Sequence, residues 1–481
     1  MLKNHKSQLK FFYFILISVF SIITIAFIET YPKITGDLET NYKVAKNILS
    51  GCGVSISALG SDECVAHFGG NQGPAYPFLI ASFFYFFGEN FDYVRYFQSL
   101  TLLLSLIFFF ITLEKFNFVN NKFKLFSILF LFSPLAFPWS RFISSDTIAI
   151  SILILYFSFF VISIKNNKIE VFPLAVLLGI GTQFRFDFIL VTFTLLIFFN
   201  LYHSKKFFFI DMIKISIIGM IIWTPWTLRN LDKGVSILPT HQQQQATFNS
   251  SEYYPKGINK WLSTWMTHEY ERVGTVYNLN NKNYSKIKFN YKNSFADEKE
   301  KQDIINLLNE LSAYNGQNFP PQIDKQFELI AKKKINSNPI KHYIKVPLTR
   351  IFYMWFNYKN SYGWPFEISN KINNEMVKKN YDLSIKNIIE VAYQNSSSVI
   401  GKLTISIYRF AIFITFFLFF FYKTNNSLIE KIALATLIFF IVKSCFHGYL
   451  NIVETRYTLP VYVLMQFVVF SRLLKLNFNK H

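Results

Sequence analysis

Several ionisable residues in this chain sit where an apolar segment begins or ends, and their types define the chemistry open to it. Asp37 and Glu39 lie in Gly36-Asp37-Leu38-Glu39-Thr40-Asn41-Tyr42-Lys43-Val44-Ala45-Lys46-Asn47-Ile48-Leu49-Ser50-Gly51, just past the first apolar run. Asp146 opens another apolar run after Ser144-Ser145, Arg185 and Asp187 close one, and Arg229 follows Pro225-Trp226. His447, Glu454 and Arg456 precede the last run. A carboxylate can take the proton of an attacking hydroxyl, and a guanidinium can hold phosphate oxygens in a two-pronged contact. Each residue also has a plain structural use. Asp37 and Asp146 stand where helix N-caps belong, and Gly51 where a helix-ending C′ residue belongs. Arg185 can pair with Asp187 and Arg456 with Glu454. Glu39 can be a solvated surface residue, and Arg229 an ordinary interfacial arginine after Trp226.

These residues must be positioned by a mostly apolar chain. Of 481 residues, 51% are hydrophobic, 58 are Phe, and only 16% are charged, against about 25% in soluble domains. Apolar runs of about 17–25 residues recur, as in a polytopic membrane protein. The first, Phe11–Ile28, is too long for a cleavable signal and lacks a small-residue cleavage site. The net charge of +20 does not point to nucleic acid. Much of the lysine falls in short segments between apolar runs and at the termini, as the positive-inside rule requires. The excess in the large outer loop suits an anionic lipid head or an acidic glycan. Cys52 and Cys64 share one outer loop and can form a disulfide if that side is oxidising. Cys445 reads as a buried span residue, and no cysteine spacing resembles a zinc site.

The pattern predicts an all-α membrane bundle of about ten transmembrane helices, with both termini cytoplasmic: Phe11–Ile28, Tyr93–Leu113, Phe123–Trp139, Thr147–Ile164, Val171–Gln183, Phe188–Tyr202, Phe207–Trp226, Val399–Phe421, Leu428–Phe446 and Tyr457–Leu473. Residues 1–230 form an N-terminal module with a first outer loop at 29–92. Residues 231–396 form a small extracytoplasmic α or α+β domain, and 397–481 carry the C-terminal helices. The segment 36–51 reads as an interfacial helix with Leu38, Tyr42, Ala45 and Leu49 on its apolar face. Tyr76–Phe87 is too short to span and reads as a second interfacial helix ended by Gly88. In the outer domain, Asp297–Leu311 and Lys325–Ile335 read as helices. Ile340–Tyr358 is an amphipathic helix resting on the membrane or on the bundle.

This topology puts Asp37, His67, Arg141, Asp146, Arg185, Asp187, Arg229, His447, Glu454 and Arg456 on one side, near span ends. The spans are nearly free of charge; Lys214, Lys431 and Lys443 are the main exceptions. A transporter places paired charges or broken helices at mid-membrane. A polar rim on one side suits an enzyme whose substrate keeps its tail in the bilayer and its head at the surface.

The order of motifs resembles the GT-C glycosyltransferases, in particular the bacterial relatives of protein O-mannosyltransferases and the lipid A aminoarabinose transferases. Asp37-Leu38-Glu39-Thr40-Asn41-Tyr42 opens the resemblance, followed by Gly73-Pro74-Ala75-Tyr76-Pro77 leading to Arg95-Tyr96-Phe97-Gln98. Gly181-Thr182-Gln183-Phe184-Arg185-Phe186-Asp187 and Pro225-Trp226-Thr227-Leu228-Arg229-Asn230 stand at outer span ends, and Glu454-Thr455-Arg456-Tyr457-Thr458-Leu459-Pro460 precedes the last span. The likeness covers about the first 235 residues and the final span. It implies an inverting transfer of a sugar from a polyprenyl-phosphate-linked donor to a lipid, glycan or protein acceptor, on the extracytoplasmic face of a bacterial inner or plasma membrane.

By that resemblance Asp37 is the general base, with Asp146 and then Glu39 as further catalytic carboxylates. Arg229, Arg456 and Arg185 are the donor-phosphate contacts, with Arg141 and His67 as lesser candidates. The aminoarabinose enzymes carry a Lys just before the Pro of the first outer loop, where this chain has Asn71-Gln72-Gly73. A divalent metal ion is the one cofactor considered, with His447 and Glu454 joining Asp37 as weak ligand candidates. Two other classes compete: a polyprenyl-linked glycan polymerase or ligase, which lacks a base-bearing helix directly after span one, and a membrane transporter.

Overall fold

The structure is a computed structural model. It describes residues 2–30, 37–55, 64, 73–115, 122–135, 137–202, 205–233, 253, 255–287, 289, 291–316, 318–356, 393, 396–421, 427–450 and 454–474. The elements of regular structure among them are helices: α1 Leu2–Thr30, α2 Asp37–Leu49, α3 Ala75–Phe87, α4 Phe91–Lys115, α5 Phe123–Leu131, α6 Asp146–Asn166, α7 Val171–Phe184, α8 Ile189–Tyr202, α9 Lys205–Asp232, α10 Lys256–Ser263, α11 Glu269–Asn280, α12 Tyr291–Ser294, α13 Glu298–Ala313, α14 Pro321–Ser337, α15 Val346–Phe356, α16 Ser396–Phe421, α17 Ser427–Tyr449 and α18 Leu459–Leu473. They fall into two compact units. One is Met1–Pro239, Trp364–Val442 and Leu459–His481; the other is Thr240–Gly363 and Lys443–Thr458.

The first unit is an all-helical membrane bundle. Five helices among the described residues are long and apolar enough to cross a membrane: Phe11–Glu29, Phe91–Lys115, Asp146–Asn166, Phe209–Asp232 and Leu403–Phe421. The other expected spans form helices of 9 to 23 residues. The expected span Phe123–Trp139 is broken, because Pro134 has no N–H to donate and pushes Ser133 out of helical geometry. α5 stops at Leu131, and the chain re-forms as a 3-10 turn at Phe137–Arg141. α6 is the central helix, packed on α4 and α7, while α7 packs on α9 and α18 on α16. The phenylalanines interlock these elements: Phe109 of α4 meets Phe157 of α6 and Phe467 of α18, and Phe126 of α5 also meets Phe467. Offset and edge-on ring contacts of this kind add to the area buried.

α2 differs from its expected amphipathic pattern. Among its described side chains Asn41, Val44, Ala45 and Asn47 are buried, while Leu49 is exposed. Ala45 packs with Tyr76, Ile80 and Phe84 of α3, and Val44 with Val54 and with Trp226 of α9. The apolar face is thus buried against protein. The helix ends as expected, with Gly51 at φ +87 and its N–H donated to Ile48 O at 3.3 Å, a left-handed stop that glycine adopts without strain. Cys52 and Cys64 form a disulfide. Cys445 is exposed rather than buried.

The second unit packs α10, α13 and α14 around Trp261, Trp265, Leu311 and Phe327. Asp297 caps α13 by accepting from Glu300 N at 2.7 Å. The buried Glu300 carboxylate in turn accepts from Trp261 Nε1 at 3.0 Å, Ala296 N at 2.7 Å and Lys334 Nζ at 2.8 Å. Burial pulls the Lys334 ammonium below its ordinary value, and Glu300 partly offsets that. The described part of this unit is helical, which decides between the α and α+β expectations for those residues.

Candidate active site

The site is built where α4, α6 and α7 end, from a continuous chain of buried polar groups. Gln98 is the first link. A lone amide inside an apolar helix must find partners to offset its desolvation. Gln98 Oε1 accepts from the Tyr76 hydroxyl of α3 at 2.5 Å. Its Nε2 donates to Ser140 O at 3.1 Å and Phe142 O at 2.8 Å. One side chain of α4 therefore fixes both α3 and the 3-10 turn that leads to Asp146.

Asp146 is the next link. It is 3% exposed, accepts from Ser144 Oγ at 3.0 Å through Oδ2, and takes the Arg185 guanidinium on Oδ1. Arg185 is 5% exposed and turns its other edge to Asp187, 8% exposed, with Nε to Oδ1 at 3.1 Å and Nη2 to Oδ2 at 3.2 Å. The chain can make this bridge because α7 stops at Phe184: Arg185 is extended, and Phe186–Phe188 forms a short 3-10 turn before α8. A buried guanidinium between two carboxylates leaves a formal charge of −1. The three groups form one buried ion-pair bridge between the start of α6 and the turn after α7. Arg185 makes the expected ion pair with Asp187 and adds a second one with Asp146.

Gly73 completes this rim. A β-carbon there would lie 2.1 Å from Gln183 O, so the Gly73-Pro74 turn rests directly on the last turn of α7, two residues from Arg185.

Arg229, near the end of α9, lies over the Trp226 ring at 4.9 Å. It donates to Val54 O at 2.6 Å and to Asn230 Oδ1 at 2.8 Å. Asn47 of α2 donates to the next carbonyl, Ser55 O, at 3.0 Å. Arg229 and α2 therefore hold adjacent residues of the disulfide loop, Val54 and Ser55. α2 is also tied down on its polar side, where Lys46 pairs with Glu89 and the Tyr42 hydroxyl donates to Glu89 at 3.0 Å. The Lys46 and Tyr42 hydrogen bonds hold Glu89 below its ordinary carboxylate value, and the same bond from Glu89 raises Lys46. Arg95 of α4 donates to Ile28 O at 3.3 Å, and Tyr96 to Glu29 at 2.7 Å, which fixes the end of α1.

Asp37 is the first residue of α2. Its side chain, those of Glu39 and Arg141, and all of His67 lie outside the described residues.

The remaining candidates belong to the second unit. Arg456 pairs with Glu454, which also accepts from the Tyr457 hydroxyl at 3.1 Å. His447 stacks on the Tyr457 ring, 4.8 Å between centroids at 9°. Among the described residues no three His, Cys, Asp or Glu side chains gather to hold a metal ion.

Tyr76, Gln98, Ser144 and Asp187 are not among the catalytic or phosphate-binding candidates that the sequence pattern marks. For Gln98 a signal is present: a single amide within an otherwise apolar span. For Ser144 there is none, since serine is common in such turns.

No curated protein and no solved structure matches the chain. Residues 71–228, the segment that carries Gly73, Gln98, Asp146, Arg185 and Asp187, match the family model described as dolichyl-phosphate-mannose-protein mannosyltransferase, and this match supports a membrane glycosyltransferase of the GT-C type.

Proposed function

We propose that this glycosyltransferase moves a sugar from a polyprenyl-phosphate-linked donor to a lipid, glycan or protein acceptor, with inversion, on the extracytoplasmic face of a bacterial inner or plasma membrane. The observation that carries the proposal is the buried network joining Tyr76, Gln98, Ser144, Asp146, Arg185 and Asp187 inside the family-matched segment. It ties together motifs far apart in sequence at one set of helix ends. The Cys52–Cys64 disulfide supports an oxidising compartment for the same loop. Cytoplasmic termini follow from the charge pattern of the short loops.

In this mechanism Asp37 takes the proton of the acceptor hydroxyl as it attacks the anomeric carbon. The glycosyl–oxygen bond breaks as the new bond forms, and the leaving group departs as a phosphate ester that needs no strong acid. Arg229 stabilises the charge that grows on it. Asp146, paired with Arg185, and Glu39 complete the acidic side of the rim. The test is Asp37→Asn. Asn caps a helix about as well as Asp, so expression and unfolding temperature stay near wild type while transfer from a purified polyprenyl-phosphate sugar is lost. Near-wild-type transfer by that variant overturns Asp37 as the base.

A further inference from the structure

The stretch Gly51-Cys52-Gly53-Val54-Ser55 has a backbone with much freedom to lose, yet its last two residues are buried and held. Gly51 and Gly53 both adopt left-handed backbone, at φ +87 and +65. Glycine takes up that conformation without strain but loses more entropy than any other residue when it is fixed. Cys52 stands between the two glycines and is bridged to Cys64, 12 residues further on. Val54 and Ser55 are both buried. The Val54 side chain packs with Val44 of α2 and Trp226 of α9, and Ile48 and Trp223 border the same cluster. Asn47 Nδ2 donates to Ser55 O at 3.0 Å, and Arg229 Nη2 donates to Val54 O at 2.6 Å.

These contacts make the stretch a clasp between α2, which begins at Asp37, and α9, which carries Arg229. A cross-link that closes a short loop removes freedom from the residues beside it, and Val54 is two residues from Cys52. The consequence falls on Arg229. Its guanidinium lies over the Trp226 ring at 4.9 Å and donates through Nη1 to Asn230 Oδ1 and through Nη2 to Val54 O. The ring sets the plane of the guanidinium, and the two bonds set its rotation within that plane. Of these two acceptors, Asn230 belongs to α9 itself and moves with it, so Val54 O is the one that ties the arginine to another element. A guanidinium meets phosphate oxygens through a rigid fork. One whose plane and rotation are fixed before the ligand arrives has less ordering left to do on binding.

We infer that the Cys52–Cys64 bridge and Asn47 are positioning residues for donor binding: they hold Val54 O where it aims the Arg229 guanidinium, so the polyprenyl-phosphate sugar is bound at full affinity only when the bridge is closed. This role rests on Arg229 being the donor-phosphate contact. It gives the disulfide a use beyond stability. A chain with both cysteines reduced keeps its helices but holds Arg229 loosely, and it gains full affinity for donor once it reaches an oxidising compartment.

The experiment uses the full chain with Cys445→Ser, reconstituted in lipid nanodiscs, and a purified polyprenyl-phosphate sugar as donor. A phosphine reductant opens the bridge, taking up the oxygen of a water as the two sulfurs become thiols. Oxidised glutathione closes it again and leaves as two molecules of the reduced form. Opening is expected to raise KM for the donor about threefold or more, while kcat per folded protein stays within about twofold, and reclosure restores the lower KM. A bridge that serves stability alone lowers the folded fraction and leaves KM unchanged, and that result overturns the inference. Cys52→Ser with Cys64→Ser, and separately Asn47→Leu, give the same rise in KM without reductant. With Arg229→Lys in place, opening the bridge adds no further rise, because the two changes act through one group. An equal further rise in that background overturns Arg229 as the residue acted upon. Hydrogen exchange separates the clasp from the donor reading. Opening quickens exchange at 226–230 as well as at 52–55, and unchanged exchange at 226–230 overturns the clasp even where sugar is transferred. No transfer by the closed wild-type protein overturns the donor reading itself.

Discussion

Gly73 rests on Gln183 backbone to backbone: a β-carbon at position 73 would lie 2.1 Å from the Gln183 carbonyl oxygen and 2.9 Å from its carbon. The obstructing atoms belong to the main chain of α7 and cannot rotate away. The contact joins the turn that starts α3 to the residue two before Arg185, so a shift there is transmitted to the ion-pair bridge.

Gly73→Ala is accordingly expected to lower stability by about 1–3 kcal/mol, the usual range for overpacking a tight site. It should also reduce transfer activity beyond what the lost folded fraction explains. Thermal unfolding of the detergent-purified protein, run beside an activity assay normalised to folded protein, checks both. An unchanged unfolding temperature would mean that the turn can lift off α7 at no cost.

The Asp146–Arg185–Asp187 bridge predicts an order among variants. Arg185→Ala leaves two buried carboxylates without their shared cation and is expected to be the worst, at about 3–5 kcal/mol. Asp187→Asn leaves Arg185 paired to Asp146 and costs less. Arg185→Lys keeps the charge but replaces a planar fork that serves both carboxylates with a single point of attachment, so it falls between. Unfolding midpoints of the three variants test the order. Equal losses would show that the three groups are not one unit.

Much of this bundle was legible from composition, because lipid demands long apolar helices. α3 and α13 are where the sequence put them, with Gly88 and Asp297 as stop and start signals, while α14 begins at Pro321, four residues before the expected Lys325. The length of the spans was less legible. Hydropathy reads Phe123–Trp139 as continuous, but Pro134 in the middle breaks the hydrogen-bond ladder. On α2, Ala45 and Tyr42 face the core as expected, but Leu49 is exposed and Asn41 and Asn47 are buried. An asparagine that bonds to a carbonyl, as Asn47 does to Ser55, is tolerated inside, and a pattern of apolar letters does not register it. Arg185 shows the same limit. Its pairing with Asp187 was readable two residues away, but Asp146, 39 residues earlier, is reached only through the packing of α6 on α7.

The Lys46–Glu89 pair gives a pH dependence with a definite sign. Glu89 titrates below its ordinary value when folded, so its contribution is full above the unfolded carboxylate value and is lost as pH falls through the lower folded one. Lys46 is raised, so its contribution is full below the ordinary lysine value and is lost as pH rises through the higher folded one. Hydrogen exchange of α2 amides should therefore be slowest across the broad neutral range and speed up at both extremes, after correction for intrinsic exchange. Both side chains are partly exposed, so the effect is modest and screened by salt. Glu89→Gln should flatten the acidic limb, and an unaltered acidic limb in that variant would remove the pair as its cause.

Arg229 separates a structural from a catalytic use. Its guanidinium lies over Trp226 and holds Val54 O and Asn230 Oδ1, so Arg229→Lys keeps a cation but loses the stack and at least one of the two bonds. Two readouts follow from the same variant. Exchange at residues 52–55 should quicken because the Val54 anchor is weakened. If the cation also meets the donor phosphate, kcat/KM for the polyprenyl-phosphate sugar should fall by about tenfold, the ~1.4 kcal/mol expected for one charge-assisted bond, with the loss mostly in KM. Trp226→Leu supplies the control: it removes the stack and disturbs residues 52–55 without removing the charge. A fall in kcat/KM of the same size in Trp226→Leu would assign the effect to the loop. A fall confined to Arg229→Lys would assign it to the phosphate.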